Sequence, residues 1–287
     1  MAEMLKNGIY VSFDSREKGF DMSNLHYHDF YEVYFLNSGV RRYVVDNTIY
    51  DLKAGDIILV NKSEFHITKN LGKNNGYKRY LLYITEDVLH SLGDNSITFE
   101  HLFKNRVISL DDKQIRRVEF IFEQLLENYN CMDELFSRQL LVNGSYELFA
   151  IIYRALGEKN FQKGRRFFGG SVDKALEFIY NNYKSAVSLE DLAKLCNMNK
   201  SYFSRYFKKV TGISFVRYLT ALRIKEACHL LKTTDMPVCD VADKSGFESQ
   251  QHFCSVFKKE MGTSALRYRL DNKGGTEIVD YTNKIRQ

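Results

Sequence analysis

Tyr202-Phe203-Ser204-Arg205-Tyr206-Phe207-Lys208-Lys209-Val210-Thr211-Gly212 returns fifty residues later as His252-Phe253-Cys254-Ser255-Val256-Phe257-Lys258-Lys259-Glu260-Met261-Gly262. The two Phe, the Lys-Lys pair and the closing Gly keep their places. Upstream, Asp191-Leu192-Ala193 matches Asp240-Val241-Ala242 at an offset of 49. The one-residue difference falls in a turn, where Cys196-Asn197-Met198 faces Ser245-Gly246-Phe247. Two copies are too few for a solenoid and enough for one small motif used twice.

Each copy reads as a helix-turn-helix. In the first, Ser188 caps a short helix through Leu189, Leu192, Ala193 and Leu195, with Glu190 and Asp191 in its first turn. A second helix runs from about Ser201 to Lys209. Phe203 and Phe207, four apart, face the core, leaving Ser201, Tyr202, Ser204, Arg205 and Lys208 outward on a face short enough to enter a major groove. In the second copy Pro237 sits near a helix start, where its missing N–H costs nothing. Gly246 supplies the turn, Phe253 and Phe257 repeat the core pair, and Gln250, Gln251, His252 and Ser255 face outward. Gln pairs bidentately with adenine and Arg with guanine. Between the copies, Ser214 begins a long amphipathic helix with Leu219, Leu222, Ile224, Ala227, Leu230 and Leu231, a spacer that would hold the two units at one separation.

Residues 172–270 thereby resemble the C-terminal DNA-binding domain of the AraC/XylS family of bacterial transcription regulators. The residues that carry the resemblance are Leu189-Glu190-Asp191-Leu192-Ala193, Ser201 through Lys209, and Gly246-Phe247-Glu248-Ser249-Gln250-Gln251-His252-Phe253. It implies base contacts from Ser201, Tyr202, Ser204 and Arg205 and from Gln250, Gln251, His252 and Ser255. The family usually has Pro where this chain has Phe215 and Ala265, but Ser214 and Ser264 can still cap the helices that follow. Members often carry Arg at the place of Ser255, a departure that implies a weaker grip of the second helix on bases than of the first.

The rest of the chain is of another kind. Of 287 residues, 44% are hydrophobic and 27% charged, ordinary for a globular protein with about two domains. The net charge of +5 is uneven. Residues 1–157 carry 18 Lys and Arg against 22 Asp and Glu, and residues 172–270 carry 16 against 10, so the basic half is the one with the repeat. No run approaches the ~18 apolar residues of a membrane span, and no secretory leader is read at the N-terminus. Five Cys without a CxxC pair argue against a disulfide framework or zinc ribbon and fit a reducing compartment, the cytoplasm. All are read as core or turn residues.

Residues 9–110 read as β: the runs 9–13, 30–36, 41–45, 56–60 and 77–84 are aromatic and β-branched, with turn residues between them, which suggests a sandwich or small barrel. Residues 111–157 switch to helical spacing. Val118, Ile121, Phe122, Leu125 and Leu126 form one stripe; Leu135, Leu140, Leu141, Leu148, Phe149 and Ile152 form another, with Gly144 inside it. The pair suits dimerisation or packing on the barrel equally. Residues 158–171, basic and Gly-containing, read as a linker, and 271–287 as a tail. The fold expected is a two-domain α+β chain: a barrel of residues 1–110 with a helical pair, then an all-α domain with two helix-turn-helix units.

The most specific string of the front half is His26-x-His28-x3-Glu32-x6-Gly39. On one strand positions 26, 28 and 32 point to one face, with Phe30 and Tyr34. With the later His66 it resembles the cupin barrel, whose motif gives two His, a Glu and a third His to Zn, Fe, Mn or Ni. The sensor domains of the same regulator family look like cupins and often retain this string without a metal, so the resemblance implies a small-molecule site and no cofactor. Its lining would be His28, Phe30, Glu32, Tyr34, Tyr43 and His66, hydrogen-bonding a sugar while Phe30 stacks on its apolar face. No P-loop, GxGxxG, GxSxG or HExxH is present, and no catalytic residue is assigned. The expected protein is a dimeric regulator controlled by a carbohydrate, meeting RNA polymerase if it activates. The alternative is a metal-dependent cupin enzyme fused to a DNA-binding module.

Overall fold

The computed structural model describes residues 5, 7–18, 21–22, 25–71, 76–91, 102–103, 106–131, 135–157 and 171–272. Of the linker expected at 158–171, residues 158–170 lie outside the described residues and Ser171 already opens a helix; of the tail expected at 271–287, residues 271–272 end a helix and the rest lie outside the described residues. The chain divides into two compact units, one of residues 1–21, 28–45 and 49–166, the other of 22–27, 46–48 and 167–287.

Among the described residues the first unit is built on eight strands: β1 Ile9–Arg16, β2 Tyr31–Ser38, β3 Val40–Val45, β4 Thr48–Lys53, β5 Asp56–Val60, β6 His66–Asn70, β7 Tyr77–Ile84 and β8 Val107–Ser109. They make a five-stranded sheet in the order β1-β7-β2-β5-β8 and a three-stranded sheet in the order β4-β3-β6. The five strands read from sequence are present; β4, β6 and β8 are additional. β6 and β8 are short and gain their hydrogen bonds from neighbours distant in sequence, as β6 does from β3, whereas β4 is mixed in polarity and lies beside β3, the strand just before it.

Among the described residues this unit also holds the helices α1 Glu86–Ser91, α2 Asp112–Asn130 and α3 Ser137–Gly157. Asp111 caps α2 in a reciprocal capping box with Gln114. Val33, Phe35, Ile57, Leu59 and Leu82 on one face of the large sheet form a continuous core with Val118, Ile121, Phe122 and Leu125 of α2 and Leu141, Leu148, Phe149 and Ile152 of α3. The helical pair therefore packs on the sheet. Gly144 lets the two helices close: a Cβ there would stand 2.9 Å from Leu125 Cδ2. Two members of the expected α3 stripe are corrected. Leu135 is 82% exposed and Leu140 50%, because the helix starts only at Ser137 and Leu140 points away from the face led by Leu141.

The described residues 171–272 of the second unit are built from helices: α4 Ser171–Asn182, α5 Leu189–Leu195, α6 Lys200–Thr211, α7 Phe215–Thr233, α8 Val238–Lys244, α9 Gln250–Met261 and α10 Ala265–Asn272. No helix among the described residues is long and apolar enough to cross a membrane. The cysteine reading is half right. Cys196 and Cys228 are buried, but Cys239 and Cys254 are exposed. Cys254 follows Phe253, whose side chain claims the core face, and a helix turns ~100° per residue.

Candidate functional site

The two helix-turn-helix units are geometric copies. Asn197 at φ 52° and Gly246 at φ 87° make the same left-handed turn, after which Met198 N–H donates to Ala193 O (2.8 Å) and Phe247 N–H to Ala242 O (3.0 Å). Asn199 and Ser249 cap α6 and α9 by accepting from the backbone N–H of Tyr202 (2.8 Å) and His252 (3.2 Å). Gly212 and Gly262 end them in left-handed conformation, donating to Lys208 O and Lys258 O. Phe203, Phe207, Phe253 and Phe257 are fully buried. Ser214 and Ser264 cap α7 and α10 through the backbone N–H of Arg217 and Arg267, so the missing prolines cost neither helix its start.

This packing leaves the expected recognition residues outside. Ser201, Tyr202, Arg205, Lys208, Gln250, Gln251, His252 and Ser255 are exposed, and Ser204 is half-buried. Tyr202 stacks on Tyr206 at 5.8 Å, which stiffens the face of α6. The His252 ring sets its edge against Phe247 at 5.8 Å.

The sheets of the first unit build a second constellation. While one face of the five-stranded sheet is apolar and meets the helices, its other face turns Glu32 and Tyr34 toward Tyr43 of β3, whose hydroxyl donates to Glu32 Oε1 at 3.0 Å. Glu32 Oε2 lies 3.1 Å from His28 Nε2 and 3.2 Å from His66 Nε2. All of these side chains are buried. His28 Nδ1 is 2.8 Å from Phe30 O and His66 Nδ1 2.9 Å from Glu64 O. Each Nδ1 must carry a proton to donate to its carbonyl, so each Nε2 can offer one to Glu32 only as imidazolium. Burial alone would push the Glu32 carboxyl up, but His66 and His28 together hold it well below the usual range. Burial likewise works against the His66 cation, yet the Glu32 charge raises its pKa. For His28 burial prevails and its pKa falls. Both shifts favour a His66 imidazolium paired with a Glu32 carboxylate.

The one-strand reading of this string is corrected. β2 begins only at Tyr31, and His28 reaches Glu32 across a bend closed by its own bond to the Phe30 carbonyl. His26 is buried and belongs to the segment grouped with the second unit. Phe30 is not presented as an open platform: it is fully buried, with the His28 ring stacked on it at 3.9 Å and Tyr83 at 4.5 Å.

Several residues of this interior escaped the sequence reading. Arg41 is 1% exposed and donates from Nε and Nη2 to Thr68 Oγ1 at 3.1 and 2.9 Å. Arg79 and Tyr77 of β7 lie nearby. The Arg106 fork clamps Glu64, whose carbonyl orients His66. Arg41 with Tyr43, and Tyr77 with Arg79, stand two apart on their strands, an alternation that a search for polar inward faces would have marked.

A third feature lies on the helical pair. Lys113, Arg116, Phe120, Glu123 and Glu127 of α2 follow one another at spacings of 3, 4, 3 and 4, and all are exposed. Beside them, an open groove of about 820 Å³ runs between α2 and α3, bordered by Phe120, Tyr146 and Arg154 among others.

Comparison with known proteins matches two family models, an AraC-like ligand binding domain over residues 11–143 and a helix-turn-helix domain over residues 192–271. The chain is 32% identical over 134 residues to the HTH-type transcriptional activator AarP of Providencia stuartii, covering 47% of this chain and 99% of that protein. It is 24% identical over 286 residues to the Msm operon regulatory protein of Streptococcus mutans serotype c, covering 92% and 97%. It is 26% identical over 253 residues to the HTH-type transcriptional activator RhaS of Enterobacter sp. strain 638, covering 85% and 86%.

Proposed function

The chain belongs to the AraC family of transcriptional regulators, and from that premise we propose that it binds a specific DNA sequence and changes that binding when a small molecule occupies its barrel. The observation that carries the reading is the duplicated helix-turn-helix, with matching caps and turns and two outward faces. Ser201, Tyr202, Ser204, Arg205 and Lys208 read one major-groove segment, and Gln250, Gln251, His252 and Ser255 read a second. Arg205 is the strongest base reader, by bidentate pairing with guanine, and Lys208 serves a phosphate.

The effector is a carbohydrate, and His28, Glu32, Tyr34, Tyr43 and His66 provide its hydrogen bonds. Binding biases the chain between two arrangements that differ in the half-sites they can hold. Like the relatives that are named activators, this chain activates, meeting RNA polymerase at its promoter in the cytoplasm.

The working unit is a homodimer formed through α2. Its exposed stripe runs from Lys113 and Arg116 through Phe120 to Glu123 and Glu127. Turned over a two-fold axis at Phe120, the basic end of one copy meets the acidic end of the other. The stripe is therefore complementary to itself in the antiparallel sense and repulsive in the parallel one.

The test is selection of DNA from a random library by the full-length protein, followed by salt-dependent affinity for the selected site. A two-part consensus whose affinity falls steeply with salt supports the reading. Binding without sequence preference overturns it. Stoichiometric metal and turnover of a substrate would favour the enzyme alternative.

A further inference from the structure

We infer that Arg223 and Glu226 of α7 are positioning residues for DNA recognition: they fix α6 and α9 relative to each other and so set which spacing between two half-sites the protein accepts. The inference rests on the two-site DNA reading above and adds to it residues outside both recognition helices.

The two turns agree in shape and differ in residue. Asn197 makes the left-handed turn of the first helix-turn-helix and Gly246 that of the second. Asn adopts this conformation too, so the backbone angle alone does not demand glycine. Close approach does. A Cβ on Gly246 would stand 2.8 Å from Tyr183 O and Lys184 Cα and 2.9 Å from Lys184 O. The turn of the second motif therefore lies directly on the segment between α4 and α5, which leads into the first motif.

The spacer helix holds that segment in place. Arg223 Nε donates to Tyr183 O at 2.8 Å and Arg223 Nη2 to Ser185 O at 2.9 Å. The planar guanidinium suits this task, since its donors point in fixed directions. Glu226, on the same face of α7, accepts from the Tyr183 hydroxyl at 3.1 Å and pairs with Lys184 Nζ at 2.6 Å. Ser188, just beyond this segment, caps α5.

Arg223 also reaches the second motif. Its Cζ lies 6.0 Å from the centre of the Phe247 ring. Burial lowers the Arg223 pKa, and the charge of Glu248, the next residue along, works against that. The Phe247 ring in turn lies 5.8 Å from the His252 ring and 5.2 Å from the Phe253 ring of α9. A continuous run of contacts thus joins the entry to the first motif with the recognition helix of the second, and Arg223 stands at its centre. Two helices on so rigid a frame accept one spacing. One added base pair moves the second half-site by about 3.4 Å and turns it by about 34°.

The experiment measures binding of the full-length protein to its selected two-part site, and to the same site with one base pair added or removed between the halves. The wild type should prefer the selected spacing by more than about tenfold. Arg223→Met should bind that site more weakly and lose about tenfold of the preference, the worth of hydrogen bonds from a charged donor. Base preference inside each half-site should not change. Glu226→Gln keeps the side-chain shape and should act in the same direction with a smaller effect. A protein that is merely less stable has fewer active molecules and keeps the wild-type ratio of affinities among the three spacings. An unchanged ratio in both variants, or a wild type indifferent to spacing, overturns the inference while the DNA reading stands. Selection that yields no two-part site overturns both.

Discussion

His66 Nε2 lies 3.2 Å from Glu32 Oε2 inside the barrel, both side chains nearly inaccessible. Because His66 Nδ1 is held by the Glu64 carbonyl, the contact is an ion pair only while the ring is doubly protonated. This makes the front unit sensitive to pH in a definite sense. Their ordinary pKa values are 4.5 for Glu and 6.5 for His. The Glu32 value is depressed in the fold, so its contribution is full above about 4.5 and is lost as pH falls through the folded value. The His66 value is raised, so its contribution is full below about 6.5 and is lost as pH rises through the folded value. Glu32→Gln should therefore cost about 3 kcal/mol near pH 6, as breaking a buried pair does, and less at pH 9. Denaturant unfolding at both pH values checks this; equal losses would mean that the His66 ring does not change charge between them.

Arg205 is exposed on α6 beyond the stacked pair Tyr202 and Tyr206. Arg205→Ala should weaken operator binding by about 1–3 kcal/mol and relax preference at one base pair. Lys208→Ala should weaken all sequences alike and lower the salt slope by about one. Fluorescence anisotropy on single-base variants of the selected site separates the two outcomes; a uniform loss for Arg205→Ala would place it on a phosphate.

The α2 stripe makes a charge-swap prediction. Lys113→Glu with Arg116→Glu should turn a dimer into monomers by setting acid against acid across the two-fold axis. Adding Glu123→Lys and Glu127→Lys to the same chain should restore it. Sedimentation velocity reads the result, and dimers that survive the double substitution would place the interface elsewhere.

Gly246 and Gly262 share a left-handed backbone and differ in their surroundings. A Cβ on Gly246 would meet Tyr183 O and Lys184 Cα at 2.8 Å, while one on Gly262 would meet nothing within 4 Å. Gly262→Ala should cost about 1–2 kcal/mol from backbone strain alone. Gly246→Ala should cost clearly more, because α4's following segment must move. Thermal unfolding of the two variants compares them, and equal shifts would mean that this segment yields freely.

The contrast between the two units shows what a sequence can carry. The helix-turn-helix pair was legible nearly to the residue because its determinants are local. Ser188, Asn197, Gly246 and Ser214 cap and turn the chain within four residues of themselves. Phe203 and Phe207 find one face through helical spacing alone. The strands between 9 and 84 were legible where they are continuously apolar. β6 and β8 were not, since each depends on a partner far along the chain, and β4 was not because its polarity is mixed, although it lies beside the preceding strand β3. His26, His28, Glu32 and His66 were picked out by motif and Tyr43 as lining, but their order in space was misjudged, because the bend at residues 28–30 interrupts the strand that the alternation assumed.

The sequence by itself thus determined a duplicated DNA-reading motif, its outward residues, and a β-rich front half with a helical pair. Helix capping, turn glycines and hydrophobic period all act over a few residues, so these could be read along the chain. Only the tertiary structure decided that the apolar face of the large sheet meets α2 and α3 while the polar face is enclosed. It alone brought Arg41, Tyr34 and Arg79, from three different strands, to one end of that interior. Their meeting depends on strand order and register, set by burial and backbone pairing summed over the whole sheet, and no short stretch of sequence contains that sum.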